Sequence, residues 1–70
     1  MLKRGLGHQA ADLLRESILS GELKAGDKIT EEGLSEHFGV SRATVRTSIQ
    51  QLVHEGIISY EPYKGNYIHP

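Results

Sequence analysis

The chain contains no cysteine. That absence excludes a disulfide scaffold, thiol chemistry and any zinc finger built on cysteine. No stretch approaches the ~18 consecutive apolar residues of a membrane span, and no apolar N-terminal stretch resembles a signal peptide, so a cytoplasmic location is the expectation. An excess of either charge is missing too. Eight Lys and Arg stand against nine Asp and Glu, a formal net charge of −1 with histidine neutral. Strong attraction to polyanions is therefore not expected from the sum of charges. With 70 residues the chain holds one small domain, too little for a dinucleotide-binding unit beside a substrate domain.

What is present is strongly patterned. The start, MLKRGLG, carries two glycines and two bases and is expected to be a flexible segment over residues 1–7, with the domain proper over 8–70. HQAADLLRESIL then reads as a packing helix, with Ala10, Leu14 and Ile18 at i, i+4 and i+8 and Ala11 beside them. Gly21 suits the position after a helix end. Gly26-Asp27 is a second turn signal, and Lys28-Ile29 is compatible with a very short strand. Thr30 is placed as an N-cap, with Glu31 and Glu32 in the first turn where the helix dipole favours negative charge. The reciprocal capping box is absent because Gly33 stands at its third position. A short helix over about 31–38 ends at Gly39. Ser41 caps a third helix whose Val45, Ile49, Leu52 and Val53 form an apolar stripe, ended by Gly56. Ile57, Ile58, Tyr60, Tyr67 and Ile68 favour strand, and the intervening Glu61–Asn66 reads as a hairpin connection.

The order helix, short helix, tight turn, helix, hairpin is that of a winged helix-turn-helix: mainly α, three helices plus a two-stranded antiparallel wing. At about 100° per residue from Val45, Arg42 and Arg46 fall together on one flank of the third helix, Ala43, Thr47, Gln50 and His54 lie opposite the apolar stripe, and Thr44 lies on the other flank. A small, polar outer face near the helix start suits a DNA major groove, where N-terminal residues of the recognition helix meet base edges. Arginines one turn apart on an exposed helix are also commonly just solvated. Against that, no acid lies within reach on the same helix, so neither Arg42 nor Arg46 has a local partner there, and a phosphate would supply one.

Three sequence pieces make the pattern specific. They are I-x-x-G-x-L-x-x-G from Ile18 to Gly26, L-S-x-x-F-G-V-S-R-x-T-V-R from Leu34 to Arg46, and L-x-x-E-G-I-I from Leu52 to Ile58. Together, over about residues 10–69, the chain resembles the N-terminal DNA-binding domain of the GntR family of bacterial transcription regulators. The resemblance implies a winged helix that acts as a repressor, two copies reading a palindromic operator in double-stranded DNA. An effector ligand would act only through a separate C-terminal domain, absent from these 70 residues. Carried over position by position, the signature arginines are Arg42 and Arg46, the small recognition positions Ala43 and Thr44, the hydroxyl cap Ser41, and the wing tip Lys64 and Gly65; Thr47 completes the outer-face set. Departures from the family pattern are Ala25 where proline is usual, Glu32 where some members carry arginine, Thr47-Ser48 in place of a Glu-Ala pair, and Tyr63, Asn66 and Tyr67 in the wing. The chain stops where the family's linker would begin, so an excised domain of a longer regulator is the expectation.

Other chemistry finds little support. His8, His37, His54 and His69 lack metal-ligand spacing, and the serines have no histidine and acid set around them, so neither metal, cofactor nor enzymatic activity is expected. Glu31, Glu32 and Glu36 read as a solvated, dipole-complementing face. The alternative to duplex reading is a winged helix used as a protein-interaction or RNA-binding module, which the near-neutral charge and the acidic second helix favour.

Overall fold

The computed structural model describes residues 6–70, with side chains from residue 9 onward. The elements are α1 (Leu6–Leu19), β1 (Lys28–Ile29), α2 (Glu31–Phe38), α3 (Arg42–His54), β2 (Ile58–Glu61) and β3 (Gly65–Ile68). Helix α1 begins two residues earlier than its sequence pattern suggests. The rest of the expected mobile start, residues 1–5, lies outside the described residues. Among the described residues no helix is long and apolar enough to cross a membrane.

Each helix is bounded by the chemistry its sequence carries. Gly21 follows α1 with φ 86°, a left-handed conformation that a Cβ would strain. The Thr30 hydroxyl accepts a hydrogen bond from the Gly33 N–H at 3.0 Å and opens α2. A Cβ on Gly33 would lie 2.8 Å from that hydroxyl oxygen, so the missing capping-box residue goes with a close cap. The Ser41 hydroxyl accepts from the Thr44 N–H at 3.1 Å and opens α3.

The core lies where α1, α2, α3 and the sheet meet. It consists of Ala11, Leu14, Ile29, Leu34, Val45, Ile49, Leu52, Ile58 and Ile68, with Ile18, Leu23, Phe38, Val40 and Ile57 packed around it. The α3 stripe differs from the sequence pattern at one edge. Val53 is exposed, and Ser48 is buried in its stead. The Ser48 hydroxyl reaches the Val45 carbonyl at 2.7 Å, which lets a polar side chain face the core without an unpaired donor.

The wing is larger than a hairpin. β3 pairs antiparallel with β2 (Ile58 opposite Ile68, Glu61 opposite Gly65) and also with β1 (Lys28 opposite Tyr67, Ile29 opposite Asn66), giving the order β1-β3-β2. The expected two-stranded wing thus supplies two strands of a three-stranded sheet. Its third strand is the Lys28-Ile29 pair, held because Ile29 is buried on the same face as Ile58 and Ile68.

Two outcomes test this packing. Ile49→Ala should destabilise the domain by ~2–5 kcal/mol, the usual range for emptying a buried Ile position, and a cooperative melt at the parent's temperature would contradict its place in the core. The Lys24–Asp27 turn closes with Asp27 N–H to Lys24 carbonyl at 3.0 Å and has φ 86° at Gly26. Proline suits the position before such a glycine, and the Ala25 N–H donates to nothing among the described residues. Ala25→Pro should therefore raise stability by about 0.4–1 kcal/mol in a denaturant titration.

Candidate nucleic-acid interface

Helix α3 lies with Val45, Ser48, Ile49 and Leu52 against the core, which turns the opposite face outward. On that outward side Ser41, Arg42, Ala43, Arg46 and Thr47 are exposed and Thr44 is half-buried. The sequence-derived set on α3 therefore shares one accessible end of the helix. Two of its hydroxyls are partly engaged by the helix itself. Ser41 caps Thr44 and also meets the Thr44 hydroxyl at 2.9 Å, and Thr47 donates back to the Ala43 carbonyl at 3.2 Å. Ser41 is thus spent on shaping the helix start and on the Thr44 N–H, which leaves the Arg42 and Ala43 N–H groups of the first turn as available donors.

Lys64 and Gly65 lie at the tip of the hairpin. The Lys64 N–H closes the turn onto the Glu61 carbonyl at 3.1 Å, and Gly65 takes φ 78°. The Lys64 ammonium lies 4.9 Å from the centre of the Tyr67 ring, a cation–π arrangement. Tyr67 in turn donates to the Glu61 carboxylate at 2.8 Å, and that bond holds its phenol above the usual range. Tyr63, at the very tip, is fully exposed.

Arg42 and Arg46 have no acid on their own helix, as expected, but they do not need a phosphate for a partner. The first turn of α2 supplies two acids. Arg46 donates from Nε and Nη2 to the two carboxylate oxygens of Glu31 at 3.0 and 3.1 Å. Arg42 Nη2 lies 3.4 Å from Glu32 Oε1, a looser pair in which both side chains are about two-thirds exposed. Glu31 and Glu32 are therefore not simply a solvated face. The hydrogen bond from Arg46 holds the Glu31 carboxyl below its ordinary value, with the charges of Arg46 and Arg42 acting the same way. The sequence holds a signal for this: acids in the first turn of one helix and bases on the outer flank of the next. The 15-residue separation hides it until the tight turn at Gly39 brings the helices across each other.

Two of the histidines have separate polar partners. His37 Nε2 meets Glu22 at 2.7 Å, and His69 Nδ1 meets the Ser59 hydroxyl at 2.8 Å. The side chain of His8 lies outside the described residues.

Residues 6–68 match the family model described as bacterial regulatory proteins, gntR family. The chain is 47% identical over 64 residues to the mannosyl-D-glycerate transport/metabolism system repressor MngR of Escherichia coli, covering 90% of this chain and 27% of that protein. Among solved structures it superposes on Lar, described as controlling expression of the Listeria monocytogenes agr system, with a TM-score of 0.88 and 34% identity; the match covers 100% of this chain and 33% of Lar. It also matches the DNA-binding domain of AraR in complex with operator ORR3, with a TM-score of 0.78 and 29% identity, over 96% of this chain and 82% of that one. The chain thus spans about a quarter to a third of the length of MngR and Lar.

The Glu31–Arg46 pair sets a pH dependence of known sign. A carboxyl held lower in the folded than in the unfolded state adds stability above its unfolded value, and that stability is lost as pH falls through the folded value. A carboxyl-detected NMR titration should show Glu31 titrating below the ordinary carboxylate range, and Arg46→Gln should bring it back toward that range. Titration of Glu31 within the ordinary carboxylate range in the parent would contradict the bidentate pair.

Proposed function

The chain belongs to the gntR family of bacterial regulatory proteins, and from that premise we propose that it is the duplex-reading part of a transcriptional repressor. Residues 8–70 form the reading unit. One observation carries the proposal: the core-facing stripe of α3 leaves a capped, exposed helix start carrying Arg42, Ala43, Thr44, Arg46 and Thr47, with a basic wing tip on the same chain. Ala43, Thr44 and Thr47 are short enough to let the helix approach base edges in a groove about 12 Å wide, and a thymine methyl fits beside Ala43 or Thr44. Arg42 and Arg46 supply the principal positioning or base contacts, and the free N–H groups of the first turn face a phosphate. Lys64 and Gly65 bring the wing to the neighbouring backbone, the lysine as a point charge steadied on Tyr67.

Two copies read the two halves of a palindromic operator, each placing α3 in a major groove. The described MngR is a repressor and the AraR domain was solved on operator DNA, which supports the reading for this chain by likeness. Any effector acts through chain beyond the domain described. Localisation in the cytoplasm follows from the same role.

Enrichment from a random duplex pool tests the proposal. The expected product is a two-fold symmetric sequence bound by two chains. Arg42→Ala should then lower the slope of log affinity against log salt by about one unit, as loss of one phosphate contact does. A folded chain that enriches no duplex, or that enriches an RNA in its place, would refute duplex reading.

A further inference from the structure

Two arginines in this domain make the same side-on fork with a glutamate, and they differ at the other end of the guanidinium. Arg15 Nε and Nη2 bind the Glu55 carboxylate at 3.1 and 2.6 Å, and its Nη1 is taken by Asp12 at 2.6 Å. That guanidinium is thus held at all three nitrogens by carboxylates of the protein. Arg46 Nε and Nη2 bind Glu31 in the same way, yet its Nη1 has no partner among the described residues. A guanidinium has five N–H donors. With two committed to Glu31, Arg46 retains three, on Nη1 and the outer side of Nη2. These form an end-on fork directed away from the carboxylate, on a side chain that is 59% exposed.

Resting on the duplex reading above, we propose that Glu31 is a positioning residue that presents the end-on fork of Arg46 to a guanine, leaving Arg42 as the phosphate contact. The charges favour this division. The Arg46–Glu31 pair has no net charge, so it gains little from releasing counterions, and a phosphate brought to Arg46 would also approach the Glu31 carboxylate. Guanine O6 and N7 are uncharged acceptors spaced for a two-pronged arginine, and they meet no such repulsion. Holding Arg46 in advance also removes part of the ordering cost of a long side chain. Arg42 differs on each count. It touches Glu32 through one nitrogen at 3.4 Å with both groups well exposed, an arrangement that opens readily for a phosphate.

The experiment uses the duplex enriched by the parent chain and a scrambled duplex, each titrated over a range of salt. Glu31→Gln keeps the shape and removes the charge. It should weaken binding to the enriched duplex, strengthen binding to the scrambled one, and steepen the salt slope by about one unit, because Arg46 becomes a free cation. Arg46→Lys keeps the charge and loses the fork. It should bind the enriched duplex about five- to 150-fold more weakly, the worth of one bidentate base contact. Replacing guanines singly by 7-deazaguanine should reveal one position that weakens the parent and leaves Arg46→Lys unchanged. A separate readout needs no variant: the Arg46 Nε–H resonance of the free protein should be protected at neutral pH and lose protection as Glu31 is protonated. Glu31→Gln with parental affinities and salt slope overturns the assignment, as does the absence of any such guanine or an unprotected Arg46 Nε–H. If the parent enriches no duplex at all, the duplex reading itself fails and this proposal falls with it.

Discussion

Leu14 of α1 closes on Val45, Ile49 and Leu52 of α3 with almost no accessible surface, and the other elements are placed relative to that seam. A chain of 70 residues can bury only about 60% of its unfolded surface, so one well-packed seam carries much of the stability. Ala10 and Ala11 are buried on α1, and their small side chains allow the helix backbones to come close. Ser48 fits the same seam because its hydroxyl turns back onto its own helix. The consequence for function is geometric. Once the inner side of α3 is committed to Leu14 and its neighbours, Ala43 and Thr47 can only face outward.

Charge is arranged between helices rather than along them. Arg15 ties α1 to Glu55 at the end of α3, and Gln51 adds a bond to the same carboxylate at 3.1 Å. Arg46 ties the outer flank of α3 to the start of α2. Surface pairs of this kind contribute little to stability individually. Their larger effect is on where cationic character remains available. Arg15 is held by two carboxylates, Arg46 is neutralised on one edge only, and Arg42 is loosely held. A net charge of −1 is therefore compatible with a DNA-reading surface, since a short contact surface needs directed donors more than an overall positive field.

The wing is connected to the helices through the sheet. β3 lies between β2 and β1, and β1 immediately precedes the Thr30 cap of α2. The Ile68 N–H bonds the Asp27 carbonyl at 2.9 Å and its own carbonyl accepts from Gly26 at 2.8 Å. The C-terminal end of β3 is thus tied to the turn that leads into β1 and on to α2, and α2 in turn holds Arg46 through Glu31. The wing and α3 share one framework, which a freestanding hairpin could not provide; isolated two-stranded ribbons are marginal in water.

Local chemistry was readable in the residues alone. Apolar spacing located all three helices, the caps at Thr30 and Ser41 followed from hydroxyls placed before them, and Gly21, Gly39 and Gly56 marked where left-handed backbone ends a helix. The outward placement of Ala43, Arg46 and Thr47 was equally legible, because a 3.6-residue period assigns faces as soon as the buried stripe is known. The stripe's edge was not. Choosing Ser48 over Val53 depends on where α1 presses, which no property of α3 encodes. The pairing of the short Lys28-Ile29 strand and the Glu31–Arg46 pair were decided the same way. Lys28-Ile29 was legible as a very short strand but its partner β3 was not, and a carboxylate 15 residues from an arginine has no periodic relation to it. Period and capping are set within a few residues of chain, whereas these contacts exist only once the turn at Gly39 and the α1–α3 seam have fixed the crossing of the helices.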